Sequence, residues 1–393
     1  MIRIGGASGY WGESQMATPQ LLAAHVDVLV YDYLAEITMS LLARARMKDP
    51  ALGYATDFVT GAMAPNLAEI ARQGTKVVSN GGGMNPLACA AALRGLAAEQ
   101  KLDLRIGVVT GDDLREKAAE YAKRGLREMF SKAPFPHPAT VVSMNAYLGA
   151  FAVAEALREG ADIVITGRSV DSAATLGALI AHYGWTAEDL DHLAAGSLVG
   201  HLLECGPQLT GGNFTDWRQV PRREAIGYPI AEVEADGSAV ITKPEGTGGL
   251  VTEATVGEQL LYEIGDPSAY VLPDVTCDFT EVVLKNDGQD RVRISGARGR
   301  PAPEDLKVCA THLAGWRGGL TPTFYGYEAA EKAKEFARAV MARSEAALRQ
   351  RNLAPYSEIS SEIIGAGSHF GAEGQADEVT LKLAVRHPDE AGV

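Results

Sequence analysis

Arg168 and Asp171 stand three positions apart just behind the apolar run of residues 162–166, in the stretch ADIVITGRSVDSA. An arginine there can grip a carboxylate through two parallel N–H groups, which lysine cannot do. Asp171 is the neighbour placed to hold its guanidinium. Two further groups suit proton transfer. Glu36 closes DYLAE behind the apolar run of residues 26–31, with Asp32 in between, and His201 lies in GHLLECG, one helical turn from Glu204 and Cys205. A carboxylate at the end of a buried strand, or an imidazole oriented by a carboxylate, is suited to general acid or base work. Asp32 reads equally as a helix cap and Glu36 as a first-turn charge. GHLLECG offers two soft donors and no third, so no metal centre is assigned. The catalytic candidates are therefore Glu36, His201, Arg168 and Asp171.

Around them lie glycine turns flanked by hydrogen-bonding side chains. GGASG contributes Gly6 and Ser8, SNGGGMNP contributes Asn80, Gly81, Gly82 and Asn85, and TGDD contributes Asp112. MNAY adds Asn145 and Tyr147, ITG adds Thr166 and Gly167, and TGGN adds Thr210, Gly211, Gly212 and Asn213. With Asp32 and Glu204 these form the expected substrate-binding set, since glycine lets a ligand approach the backbone and amides fix its orientation. For GGASG a plain tight turn is an equal reading. A base, an acid and donors for a developing oxyanion suffice to remove a proton beside a carbonyl. Hydration, dehydration and retro-aldol cleavage share that step. The expected class is a lyase, with hydratase or dehydratase preferred, acting on a small hydroxy acid or its CoA thioester. The contrasting reading is a non-catalytic subunit that binds an acyl-CoA or a carboxylate for a partner enzyme.

Such residues meet only if the elements bearing them end at one edge. Residues 140–144 and 162–166 have the β-branched richness of buried strands, and residues 150–158 between them have helical spacing, which predicts a βαβ unit. Further apolar runs at 2–4, 26–31, 76–79 and 105–109 extend a parallel sheet, whose ligands sit beyond the carboxyl ends of the strands. Past residue 227 the pattern changes to alternating runs around Asp236-Gly237 and Asn286-Asp287-Gly288, a hairpin signal. The sequence thus predicts an α/β chain in two parts: a parallel-sheet α/β active-site domain over 1–222, and an antiparallel α+β domain over 223–393. The closing RHPDEAGV reads as frayed.

Composition narrows the partners. Thirty-six Lys and Arg against 50 Asp and Glu give a formal net charge of −14, which disfavours nucleic acid and anionic membranes. The four cysteines are widely spaced, as in a reducing compartment. No window approaches the roughly 18 apolar residues of a membrane span, and the start is not a secretory signal, so a cytoplasmic location is expected. No Walker or dinucleotide fingerprint follows any strand, and no cofactor is assigned.

The ordered set DYLAE, SNGGGMNP, TGDD, MNAYLGA, DIVITGRSVDSA, GHLLECG, TGGNF, KPEGTGGLV, EQLLYEIGDPSAYVLPDV and LKV resembles the acyclic terpene utilisation AtuA-like family over residues 3–385. The resemblance implies a setting among acyl-CoA-handling enzymes that degrade branched isoprenoid acids. The expected substrate is then a branched hydroxy acid or its acyl-CoA thioester. It also implies a small separately encoded subunit as partner, while free antiparallel edges favour a homo-oligomer.

Overall fold

The computed structural model describes residues 1–368, 371 and 376–393, and it is an α/β chain that divides into two compact units, Met1–His312 and Leu313–Val393. The first unit is built on a nine-stranded sheet. From one edge to the other its strands are Val283–Asn286, Val292–Ser295, Ala239–Thr242, Ile230–Val233, Ile2–Ser8, Val28–Tyr31, Lys76–Ser79, Ile163–Thr166 and Ile106–Val109. From Ile2–Ser8 onward the pairs are parallel, and before it they are antiparallel. The expected division after residue 222 falls inside this unit. Ile230–Val233 pairs directly with Ile2–Ser8, so the antiparallel strands extend the first sheet instead of starting another.

The parallel strands read as continuous apolar runs because helices cover both faces. On one face Leu176, Leu179, Leu198 and Leu202 pack under Ile4, Val30, Val78 and Val164; on the other, Leu21, Met39, Leu67 and Leu93 pack against Leu29, Val77 and Ile165. Each of these side chains is buried, and burying a Val, Leu or Ile contributes about 1.5–3 kcal/mol.

Two expectations are corrected. Val141–Ala146 is a strand, but it pairs antiparallel with Val308–His312 in a separate two-stranded sheet and forms no βαβ unit with Ile163–Thr166. The reason is that Ile163–Thr166 already has Lys76–Ser79 on one side and Ile106–Val109 on the other, leaving no free edge. The predicted turn at residues 5–9 is largely strand, since Ile2–Ser8 runs through Gly5 and Gly6 with a register shift before Ser8.

The second unit is an antiparallel sheet in which Glu378–His387 pairs with Trp316–Leu320, Thr323–Tyr325 and Glu358–Ile364. The helix Ala329–Gln350 lies on it through Ala329, Ala333 and Ala337, spaced one turn apart, against Val379, Leu381 and Leu383. The closing segment is docked, not frayed: His387 is buried, its Nε2 bonds the Ala354 carbonyl at 2.9 Å, and Gly392 lies against its ring. No helix among the described residues is long and apolar enough to cross a membrane.

Gly82 shows what the triple glycine does for the sheet. A Cβ there would sit 2.4 Å from the Thr166 carbonyl oxygen and 2.7 Å from Ile165 Cγ2, so the loop closes down on the end of the neighbouring strand. Gly82→Ala should therefore cost about 1–3 kcal/mol by overpacking. Gly95, inside the helix Pro86–Glu99 with open space where its Cβ would be, is the control, and Gly95→Ala should stabilise by about 0.5–1 kcal/mol. Urea midpoints of the two variants check both signs.

Candidate functional site

The parallel strands bring their carboxyl ends to one edge, so the loops after Tyr31, Ser79, Val109 and Thr166 meet there. Arg168 is the residue through which they are joined. Its side chain is 2% exposed, its Nη1 donates to the Leu34 carbonyl at 2.6 Å and to Asp171 Oδ1 at 2.8 Å, and its guanidinium lies 4.1 Å from the centre of the Tyr147 ring. Its backbone N–H donates to Asp112 Oδ2 at 2.8 Å, and the same oxygen accepts from Asn145 Nδ2 at 2.8 Å. The guanidinium fork is thus used inside the protein on Asp171, Leu34 and Tyr147. Gly167 has Asp112 Oδ1 at 2.4 Å from where its Cβ would be, which explains the glycine in the ITGR run.

Three carboxylates from distant segments converge beside this arginine. Oxygens of Asp32, Asp171 and Glu204 lie within 4.8 Å of one another. Asp32 follows the second strand, and its Oδ1 accepts from the Leu34 N–H at 3.2 Å and from Asn80 Nδ2. Asn80 is fixed in turn by the Tyr33 N–H, which donates to its Oδ1 at 2.8 Å. Glu204 ends the helix Leu190–Glu204 and meets His201 Nδ1 through Oε1 at 3.0 Å. The helix reaches the strand edge because Gly6 and Gly9 leave room for it: a Cβ on Gly6 would be 2.5 Å from the Leu203 carbonyl oxygen, and one on Gly9 would be 2.8 Å from Cys205 backbone atoms. Ser8 Oγ completes the edge by donating to the Asp32 carbonyl at 3.0 Å.

Crowding sets the protonation states. Burial, reinforced by Asp171 and opposed by Arg168, pushes the Asp32 carboxyl well above the usual carboxylate range. Burial also raises Glu204 to about 7, against the pull of His201. Burial would lower His201, but the Glu204 carboxylate outweighs it and the imidazole is raised. Burial and Glu204 push the Cys205 thiol up as well, which disfavours the thiolate that its place beside His201 suggested.

Glu36 behaves in the opposite way. It begins the helix Glu36–Lys48, accepts a hydrogen bond from the Tyr147 hydroxyl, and pairs with Lys307 Nζ at 3.2 Å. Partial burial would raise its pKa, but Tyr147 and Lys307 outweigh this and hold it at about 2. Lys307 also lies 4.6 Å from the Tyr147 ring centre, and its side chain is 48% exposed.

Other expected residues serve elsewhere. Asn85 donates to the Pro50 and Leu52 carbonyls at 3.0 and 2.9 Å, holding the loop before its helix. Gly81 backs onto Ser79 and Tyr33, and the Thr166 hydroxyl donates to the Gly167 carbonyl at 2.8 Å. Thr210 donates to the Gly227 carbonyl at 2.6 Å, Gly211 and Gly212 pack on Val220 and Pro207, and Asn213 is exposed. No described contact joins Thr210–Asn213 to the carboxylates. Two neighbours of the site were not singled out from sequence. Each carries only a motif as sequence signal: Lys307 sits in LKV, and Tyr270, with its ring 5.9 Å from His201, in EQLLYEIGDPSAYVLPDV.

The raised groups make stability depend on pH with a definite sign. Glu204 moves from 4.5 to about 7, so its contribution is complete below 4.5 and is lost as pH rises through about 7. His201 is raised above 6.5 and adds in the same direction. Unfolding free energy should fall between pH 5 and 8, on the order of 1–3 kcal/mol, and Glu204→Gln should flatten the curve. Arg168→Met, which leaves Asp171 beside two other carboxylates with no partner, should cost about 3–5 kcal/mol at pH 7. Urea titrations across the pH range measure both.

Comparison with known proteins finds one family over nearly the whole sequence. A family model described as acyclic terpene utilisation family protein AtuA matches residues 2–393. No curated protein matches the chain, and no solved structure does. The chain belongs to the acyclic terpene utilisation AtuA family, whose description sets its involvement in the use of acyclic terpenes.

Proposed function

We propose that the protein is a hydro-lyase that removes water from, or adds it to, a branched hydroxy acid or its CoA thioester. The observation that carries this reading is the pair of carboxyl environments at one strand edge. Asp32 and Glu204 are held toward their protonated forms, while Glu36 a few residues away is held ionised. Carboxyls pushed apart in pKa by their surroundings are how one site keeps an acid and a base at the same pH.

In the dehydrating direction Glu36 takes the proton from the carbon beside the carbonyl. The carbon–oxygen bond to the hydroxyl then breaks, its electron pair leaves with oxygen, and a carbon–carbon double bond forms. Asp32 gives its proton to the departing oxygen, which leaves as water. The proton on Glu36 returns to solvent, Asp32 is reprotonated, and no oxidant or reductant is needed. Lys307 supplies the accessible positive charge for the substrate's carboxylate or thioester oxygen, and Tyr147, whose hydroxyl donates to Glu36, orients that base. Arg168 acts through Asp171 and Tyr147 as a positioning residue.

Branched hydroxy acids and their CoA thioesters, incubated with the protein and followed by mass spectrometry, should gain or lose 18 mass units, one water. Glu36→Gln should lower kcat by about 100-fold or more, and Lys307→Met should raise KM more than it lowers kcat. The rate should fall on the alkaline side, as Asp32, raised by burial, gives up its proton. Thermal stabilisation by the compounds with no product in any arm would favour the carrier reading and end this one.

A further inference from the structure

The carboxylate cluster is arranged in a way that proton storage alone does not require. Each of its three members has one oxygen held from outside. Asn80 Nδ2 and the Leu34 N–H hold Asp32 Oδ1, Arg168 Nη1 holds Asp171 Oδ1, and His201 Nδ1 meets Glu204 Oε1. The opposite oxygens, Oδ2 of Asp32, Oδ2 of Asp171 and Oε2 of Glu204, have no hydrogen-bond donor among the described residues. For Glu204 this is costly, because its side chain is only 6% exposed and Oε2 is buried with no partner at all. A donor behind every carboxylate and an open oxygen in front is the arrangement that orients ligands around a cation.

We propose that Asp32, Asp171 and Glu204 bind a hard divalent cation, of the Mg²⁺ or Mn²⁺ type. The donor chemistry selects the class. All three groups offer carboxylate oxygen, which suits Mg²⁺, Mn²⁺ and Ca²⁺, and none offers the thiolate that would favour zinc or copper. Cys205, next in sequence to Glu204, is not one of the three converging groups. His201 is an outer residue in this arrangement: its Nδ1 is spent on Glu204, and its backbone carbonyl is held by Gln259 Nε2 at 3.0 Å. Three carboxylates face one fixed guanidinium, which is shared with Leu34, so the cation also supplies the positive charge that the buried cluster lacks.

The ligand that completes such a shell follows from the count. Mg²⁺ prefers six oxygens and keeps several of them as water, so three protein ligands leave places for the hydroxyl and carbonyl oxygens of a hydroxy acid. This rests on the reading of the same edge as the place where a hydroxyl is lost. It deepens that reading by making a metal-chelating hydroxy acid or thioester the substrate class, with the bound cation, in place of the proton on Asp32, as the group that would draw off the departing hydroxyl.

The test separates the two claims by measuring binding without turnover. The full chain is stripped with EDTA and titrated with Mn²⁺ alone, with free ion followed by electron paramagnetic resonance and stability by thermal melting. A single site per chain, a Tm raised by several degrees, and loss of both in Asp171→Asn and Glu204→Gln are expected. Asp216→Asn, on an exposed acid, is the control for weak surface binding and should change neither. Should Glu204→Gln not fold, as judged by near-ultraviolet circular dichroism, Asp171→Asn at 32% side-chain exposure carries the test. Absence of stoichiometric binding, or binding equal in all variants, overturns the proposal. Turnover that persists undiminished in EDTA overturns the cation and leaves the lyase, whereas a bound cation with no turnover of any hydroxy acid leaves the cation and removes the lyase.

Discussion

A guanidinium can stay inside a protein only where opposite charge and acceptors surround it, and the fold around residue 168 is organised to supply them. Leu34 gives a carbonyl, Asp171 a carboxylate, Tyr147 a ring face, and Asp112 takes the backbone N–H. Besides Asp171 in its own loop, these partners come from three other segments, those after Tyr31, Val109 and Ala146. One buried cation therefore ties together loops that the strand order brings to the same edge. The placement of Asp32 follows from it, because Asp32 and Leu34 are held in the same short turn.

The same region keeps acidic groups in two opposed conditions within a small span. Asp32 and Glu204 are crowded by each other and by Asp171 in surroundings that resist charge, and they retain protons or need a compensating cation. Glu36 is more exposed and is met by a phenol and an ammonium, so it stays charged. The contrast arises from position alone, since all are ordinary carboxylic acids. It depends on Gly6 and Gly9, whose missing side chains let the last turn of the helix Leu190–Glu204 lie on the first strand.

Much of this was legible in the sequence. The apolar runs identified the parallel strands, the helical spacing of His201 and Glu204 is observed, and the polar residues after residues 31, 79 and 166 do share an edge. What could not be read was long-range partnership. Nothing local in residues 140–144 says that this strand pairs with Val308–His312, and a parallel neighbour was the more natural inference from the helix that follows it. Lys307 reaches Glu36 across 271 positions for the same reason. Glycines were legible as special but not in purpose: Gly82 and Gly167 make space for a carbonyl and a carboxylate of the chain itself. The acidic trio was hidden because its members, at 32, 171 and 204, share no spacing pattern that one helix or strand would produce.

The pairing of Val141–Ala146 with Val308–His312 also bears on how the molecule is made. During synthesis the five parallel strands have all been made by residue 166, and the helix bearing Glu204 soon afterwards. The strand that carries Asn145, and the loop that carries Tyr147, must still wait for a partner about 160 residues downstream. A nascent chain halted before residue 308 would hold a near-complete sheet, with the strand Val141–Ala146 beside its carboxyl edge unpaired. High contact order of this kind slows the last step of folding, so the edge that gathers the acidic groups is also the part assembled last.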